Sequence, residues 1–176
     1  VNFGVIYGQS PFGLSEAIGI PQSEAAGFID DYFARYQGVR EFLDQILEDC
    51  ATQKFVTTIC GRKREIQGVR GGVQKQLNMP ERTAINTVIQ GSAADLIKQA
   101  MLNVSDRLKQ EQHTGRLLMQ IHDELVFEVP LDSLDSLGLI VREEMESAMD
   151  LDVPLIVDMS SGLNWLEQSD LLIPHR

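Results

Sequence analysis

Between Val39 and Cys50 the apolar residues fall at Val39, Phe42, Leu43, Ile46, Leu47 and Cys50, in steps of 3, 1, 3, 1 and 3. That spacing returns to one side of a helix at each turn, so it predicts an amphipathic helix after Gly38. Upstream, Pro21 opens another helix with Phe28, Tyr32, Phe33 and Tyr36 along one side. A proline is tolerated there because the first turn has no partner for the missing N–H. Val1 to Tyr7 reads as the end of a helix stopped at Gly8, and Pro11 to Gly19 as a short glycine-punctuated stretch. Lys54 to Ile59 is β-like, and the basic loop GRKREIQGVRGG after it has a short β-like piece at its centre.

The longest pattern starts at Pro80 and runs to about Gln110, with Ile85, Ile89, Leu96, Ala100, Val104 and Leu108 on its apolar side. Gly91 inside that helix implies close approach by another group. Leu117 to Ile121 and Leu125 to Val129 form the arms of a hairpin, with His122, Asp123 and Glu124 between them. Leu131 to Met149 is an acidic helix with Leu134, Leu137, Ile140, Val141 and Met145 inward, and Val153 to Val157 a last strand. Helices dominate and a small antiparallel sheet comes late, so the fold class is α+β. No repeat or low-complexity linker interrupts it.

A chain of 176 residues, 43% hydrophobic, can build one good core or two small ones. No apolar run approaches the roughly 18 residues that a membrane span needs. The chain opens on Val1, without a signal-like start, and residues 1 to 8 read as the inside of an element. The expectation is a piece of a longer protein. Cys50 and Cys60 have no metal-ligand spacing and read as free thiols.

The net charge of −11 is unevenly spread. From Lys54 to Lys75 there are six basic residues against Glu65 alone, and from Gln120 to Asp170 thirteen acidic residues against Arg142 alone. One segment can face a polyanion while another holds cations or faces water.

Three constellations can carry chemistry. Arg82, Asn86 and Gln90 lie at i, i+4 and i+8 of the long helix, each step turning about 40° past a full revolution, so they share a narrow stripe. A row of donors suits the minor groove, where every base pair offers acceptors at purine N3 and pyrimidine O2. The alternative is an ordinary solvated face. The loop from Gly61 to Lys75, including Arg62 and Arg64, has the composition of a phosphate-contacting arm, or of a merely solvated charge run. Asp123 at a tight turn suits Mg²⁺, a hard cation that takes carboxylate oxygens and keeps water ligands. Two-metal chemistry on phosphates needs a further carboxylate from elsewhere. His122 has no second His or Cys at usable spacing for zinc.

Taken together, these stretches resemble the C-terminal part of the polymerase domain of family A DNA polymerases, the bacterial DNA polymerase I type. NFGVIYG, Asn2 to Gly8, resembles the second half of that family's fingers helix, motif B. GRKREIQGV resembles its Gly-Arg-Arg arm, ERTAINTVIQGSAADLIKQAM the long palm helix, and MQIHDELVFEVP motif C. VPLIVDMSSGLNW resembles the terminal strand and tail, so the similarity runs from about residue 2 to residue 168.

The resemblance implies a fingers segment over residues 1–75, with the basic arm at about 54–75, and a palm segment over 76–176. In the family two Mg²⁺ ions bind between a motif A and a motif C aspartate and activate the primer 3′-hydroxyl. Asp123 corresponds to the motif C aspartate, Glu124 to the supporting carboxylate beside it, and His122 to a residue near the primer terminus. Phe3 corresponds to the aromatic that packs on the incoming nucleotide, and Tyr7, followed by Gly8, to the one beside the template base. Arg82, Asn86 and Gln90 correspond to residues lining the minor groove of the nascent duplex.

The implied partners are primer–template DNA and deoxynucleoside triphosphates, in a bacterial cytoplasm, with neither a membrane nor an obligate protein partner. The motif A aspartate and the basic residues that hold the triphosphate have no counterpart in this sequence, so the chain alone is expected to be inactive. Two alternatives remain. One is a nucleic-acid-binding module that has lost catalysis, which would need none of Asp123, Glu124 and Phe3. The other is a Mg²⁺-dependent phosphohydrolase, which needs a second carboxylate cluster within the chain.

Overall fold

The computed structural model describes residues 2–72 and 76–173, apart from the side chain of Asn2. Val1 and Lys75, each at the end of an expected segment, lie outside the described residues. Two compact units form, Val1–Ala93 and Ala94–Arg176. The first holds α1 (Asn2–Ile6), α2 (Pro11–Ile18), α3 (Gln22–Arg35), α4 (Gln37–Gln53), β1 (Phe55–Thr57), β2 (Lys63–Glu65) and the start of α5 (Met79–Gln110). The second holds the rest of α5, β3 (Arg116–Ile121), β4 (Glu124–Glu128), a 3₁₀ turn at Leu131–Ser133, α6 (Leu134–Glu146), β5 (Ser160–Ser161) and β6 (Ser169–Asp170). Helices with small antiparallel pairs, β1–β2, β3–β4 and β5–β6, make this an α+β fold.

In the first unit the α4 stripe supplies the core. Leu43, Ile46, Leu47 and Cys50 are buried with Val56, Ile66, Val69, Ala84 and Ile85. Phe42 of that predicted stripe instead stands 52% exposed. The apolar side of α3 also differs from the expected one. It packs through Ala25, Ile29, Tyr32 and Phe33 against Val5 and Leu14, while Phe28, about 100° round the helix from Ile29, is exposed. Tyr36 is exposed as well, because it is the joint between α3 and α4 rather than part of a helical face. Pro11 to Gly19 proves to be mostly helix. Ser10 caps α2 by accepting from the Gly13 N–H at 3.1 Å, and Gly19 ends it at φ 71°.

The long helix starts where expected, and its start is a reciprocal cap. Asn78 Oδ1 accepts from the Glu81 N–H at 2.9 Å, and Glu81 Oε2 accepts from the Asn78 N–H at 2.7 Å. Glu81 is fully buried, and the Arg70 guanidinium completes its shell, donating through Nε at 2.8 Å and Nη2 at 2.7 Å. The close approach implied by Gly91 is real. A β-carbon there would lie 2.6 Å from Thr58 Cγ2, so the turn after β1 rests directly on α5.

In the second unit Val104 and Leu108 of α5 bury against Leu137, Ile140 and Val141 of α6, with Phe127, Val129 and Met145 around them. Arg107 adds polar links, donating to Glu111, Glu143 and Glu144. The strand expected at Val153–Val157 does not form. Pro154 lacks an N–H for a ladder, and Val153 and Ile156 are exposed rather than packed on a neighbour. Pairing begins only at Ser160, opposite Asp170.

The Arg70 guanidinium holds the Glu81 carboxyl below its ordinary value, and the Asn78 and Arg70 backbone N–H groups add to this. A depressed folded-state pKa gives stability that is whole above the unfolded value of about 4.3. That stability is lost as pH falls through the folded value. Glu81→Gln should therefore destabilise the chain by about 1–2 kcal/mol at neutral pH. In urea titrations the gap between the two proteins should narrow as pH falls below about 4.3 and close once the folded-state carboxyl is protonated; a gap that stays undiminished down to acid unfolding would remove Glu81 from acid sensitivity.

Candidate functional site

The expected site residues divide between the two units. In the first, the turn that ends α1 is joined to α5 by a hydrogen bond across 83 positions of sequence, with Gln90 Nε2 donating to Tyr7 Oη at 2.6 Å. Phe3, one helical turn before Tyr7, stacks with it at 6.5 Å between centroids and 14° between planes, and is 76% exposed. Gly8 follows at φ 79°, and a β-carbon there would lie 2.6 Å from Leu77 Cδ1 and 3.6 Å from Arg82 Cγ. Glycine is needed twice over, for the left-handed backbone and for the close approach. Phe3, Tyr7, Gly8, Arg82 and Gln90 are thus brought to one surface.

The stripe on α5 is not a simply solvated face. Gln90 is exposed, but Arg82 and Asn86 are half-buried. Arg82 Nε and Asn86 Oδ1 are enclosed with no hydrogen-bond partner among the described residues. Enclosed polar atoms of this kind are normally satisfied by water or a ligand.

The basic arm is a β1–β2 hairpin, Phe55 opposite Glu65 and Thr57 opposite Lys63. Three contacts seat it on α5. The Thr58 methyl lies over Gly91, the Ile59 N–H donates to Ser92 Oγ at 2.9 Å, and Arg64 Nη1 donates to Thr87 Oγ1 at 3.0 Å. Arg64 therefore lies against the helix one residue along from Asn86, while Arg62 is exposed at the turn. Lys63 Nζ sits 4.5 Å over the Phe55 ring. Thr87, Ser92 and the Arg70–Glu81 pair were not anticipated as part of this surface. Asn78-x-x-Glu81 before an apolar run was an available signal for the cap at Glu81, though not for Arg70 as its partner.

In the second unit His122 and Asp123 form a two-residue turn closed by the Ile121–Glu124 pair. His122 takes φ 53°, a left-handed conformation that costs a non-glycine residue roughly 1–2 kcal/mol. The Gln120 side-chain amide braces the turn by donating to the His122 carbonyl. His122, Asp123 and Glu124 are all exposed. The carboxylates supply oxygen donors alone and leave open positions, which fits Mg²⁺ as a partial ligand set. Among the described residues no group of three or more His, Cys, Asp or Glu side chains could hold a metal ion, so the second carboxylate cluster that a phosphohydrolase needs is not found there. Nor is any helix of the described residues long and apolar enough to cross a membrane.

Comparison with known proteins matches residues 1–167 to the model of DNA polymerase family A. The DNA polymerase I of Bacillus subtilis (strain 168) is 44% identical over 167 residues, 95% of this chain and 19% of that protein. That of Geobacillus stearothermophilus is 43% identical with the same coverage. Among solved structures, the POL domain of Pol1 from M. smegmatis, in complex with DNA primer-template and dNTP, is similar with a TM-score of 0.80 and 38% identity. The match covers 88% of this chain and 27% of that one. The chain spans about a fifth of the length of the curated relatives it matches.

The Tyr7–Gln90 bond should be measurable in this chain by a double-mutant cycle. Tyr7→Phe and Gln90→Ala, singly and together, should show a coupling of about 0.5–1.5 kcal/mol in unfolding free energy. Strictly additive effects would mean that the bond contributes nothing in solution.

Proposed function

The chain belongs to DNA polymerase family A, and from that premise we propose that it forms fingers and palm segments of a template-directed DNA polymerase. The whole protein adds deoxynucleotides to a primer 3′-end. The observation that carries this is the joining of two remote motifs, Phe3 and Tyr7 with the Arg82–Gln90 stripe, into one surface of an exposed and a half-buried aromatic ring beside side-chain N–H donors. Bases have apolar faces and acceptor edges, and that surface offers the complement of both.

Phe3, the outermost ring, packs on the incoming nucleotide, and Tyr7 with Gly8 borders the template base. Arg82, Asn86 and Gln90 donate to minor-groove acceptors, which supports checking of pair shape without regard to sequence. Arg82 Nε is a donor of that stripe with no hydrogen-bond partner among the described residues. Arg62 and Arg64 face the phosphate backbone. The fingers segment is taken as residues 1–75 and the palm segment as 76–176.

When bound, two Mg²⁺ ions supply activation of the primer 3′-hydroxyl and stabilisation of the departing pyrophosphate. Asp123 would be the ligand from this chain, with Glu124 in support, and further ligands would have to come from the rest of the protein and its substrates. His122 borders the primer terminus. Its strained backbone supports that role, because a glycine would turn the hairpin with less strain and a histidine persists where its side chain is wanted.

In primer-extension assays the 176-residue chain alone should give no template-dependent product, since half of the metal site and the triphosphate clamp are absent from it. In the whole protein Asp123→Ala should reduce extension to background while duplex binding stays near normal. Near-normal turnover by that variant would remove Asp123 from the metal site. Gln90→Ala should weaken extension from matched primers by roughly 0.5–3 kcal/mol in transition-state free energy, alike for all base pairs. A penalty confined to one pair type would mean that Gln90 reads sequence.

A further inference from the structure

The family match ends at residue 167, yet residues 168–173 beyond it pack within the second unit. Ser169 and Asp170 form β6 against Ser161 and Ser160, and the Leu171 N–H donates to the Met159 carbonyl at 2.8 Å. The next residues alternate as an extended segment does. Leu171 and Ile173 are half-buried, while Leu172 is 90% exposed.

The seat of the two inward side chains is Gly138 of α6. A β-carbon at Gly138 would lie 2.8 Å from Ile173 Cδ1 and 3.2 Å from Leu171 Cδ2. One turn later Arg142, also buried, donates through Nη1 to the Ile173 carbonyl. Gly138 and Arg142 share a stripe about 100° round α6 from the one formed by Leu137 and Val141. That second stripe packs with Phe127 and Val129, which continue the chain from Asp123 and Glu124. A mid-helix glycine weakens α6 by itself, and the tail occupies the space that the missing side chain leaves.

We infer that residues 168–173 are an intramolecular strap, fastened at Gly138 and Arg142, that braces α6 and through it the strand leaving the Asp123 turn. The strap lies outside the matched family span and does not depend on the polymerase reading.

Deleting residues 168–176 from the chain should lower Tm by roughly 3–8 °C. It should also speed hydrogen exchange at the α6 and β4 amides. Gly138→Ala should lower Tm in the full chain but raise it in the truncated one, where only the better helix propensity of alanine is felt. That change of sign is the signature of a seated tail. An increase of similar size in both backgrounds, or a truncation that leaves Tm and exchange unchanged, overturns the strap. Should the truncated chain not fold, Ile173→Ala in the full chain decides. It should lower Tm and lessen the penalty of Gly138→Ala, and an unchanged Tm with an unchanged penalty refutes the inference.

Discussion

The buried carboxylate of Glu81 ties together three things that are otherwise separate along the chain. It closes the cap with Asn78, so it sets the residue at which α5 begins. It holds the backbone and guanidinium of Arg70, so it fastens the loop that returns from the basic arm. Asn78 also donates from its side chain to the Gly68 carbonyl at 3.1 Å, which fixes the same loop a second time. A carboxylate removed from water would be strongly unfavourable by itself. Four donated hydrogen bonds, three of them from Arg70, make the position tenable. They also make it intolerant of any partial replacement.

Consequences run from that node to the candidate surface. Leu77 immediately precedes the cap and fills the space beside Gly8, so the start of α5 and the end of α1 meet there. Four and eight residues after Arg82 come Asn86 and Gln90, whose direction follows from the phase at which the helix was started. The arm then lies along the same helix through Thr58, Ile59 and Arg64. Stability and the proposed recognition surface therefore draw on the same contacts rather than on separate parts of the fold.

Much of this was legible beforehand, for identifiable reasons. The α4 and α5 patterns are long and strongly periodic, so the helices could be read and most of their buried residues named. Phe42 and Phe28 were misplaced because an aromatic side chain says apolar without saying which neighbour it will meet. The Val153–Val157 segment has β-branched residues but no strand among the described residues pairs with it, a non-local fact that composition cannot carry. For the candidate site, the stripe and the carboxylate turn were visible as spacing. The Tyr7–Gln90 bond and the Arg64–Thr87 contact were not, since each joins residues tens of positions apart through a geometry that exists only after folding.

Among the described residues the strand pairs join neighbours in sequence, β1 with β2, β3 with β4 and β5 with β6. Each therefore closes over a short loop, at small entropic cost, before any distant segment has to arrive. Chains built from such local contacts fold quickly, because little of the search is for remote partners. The bond between Tyr7 and Gln90 is of the other kind, joining residues 83 positions apart, as is the approach of Leu77 to Gly8 across much of the same span. Closure of so long a span has more entropy to overcome than closure of a hairpin, so the surface that presents Phe3 and Tyr7 is expected to form after the hairpins do.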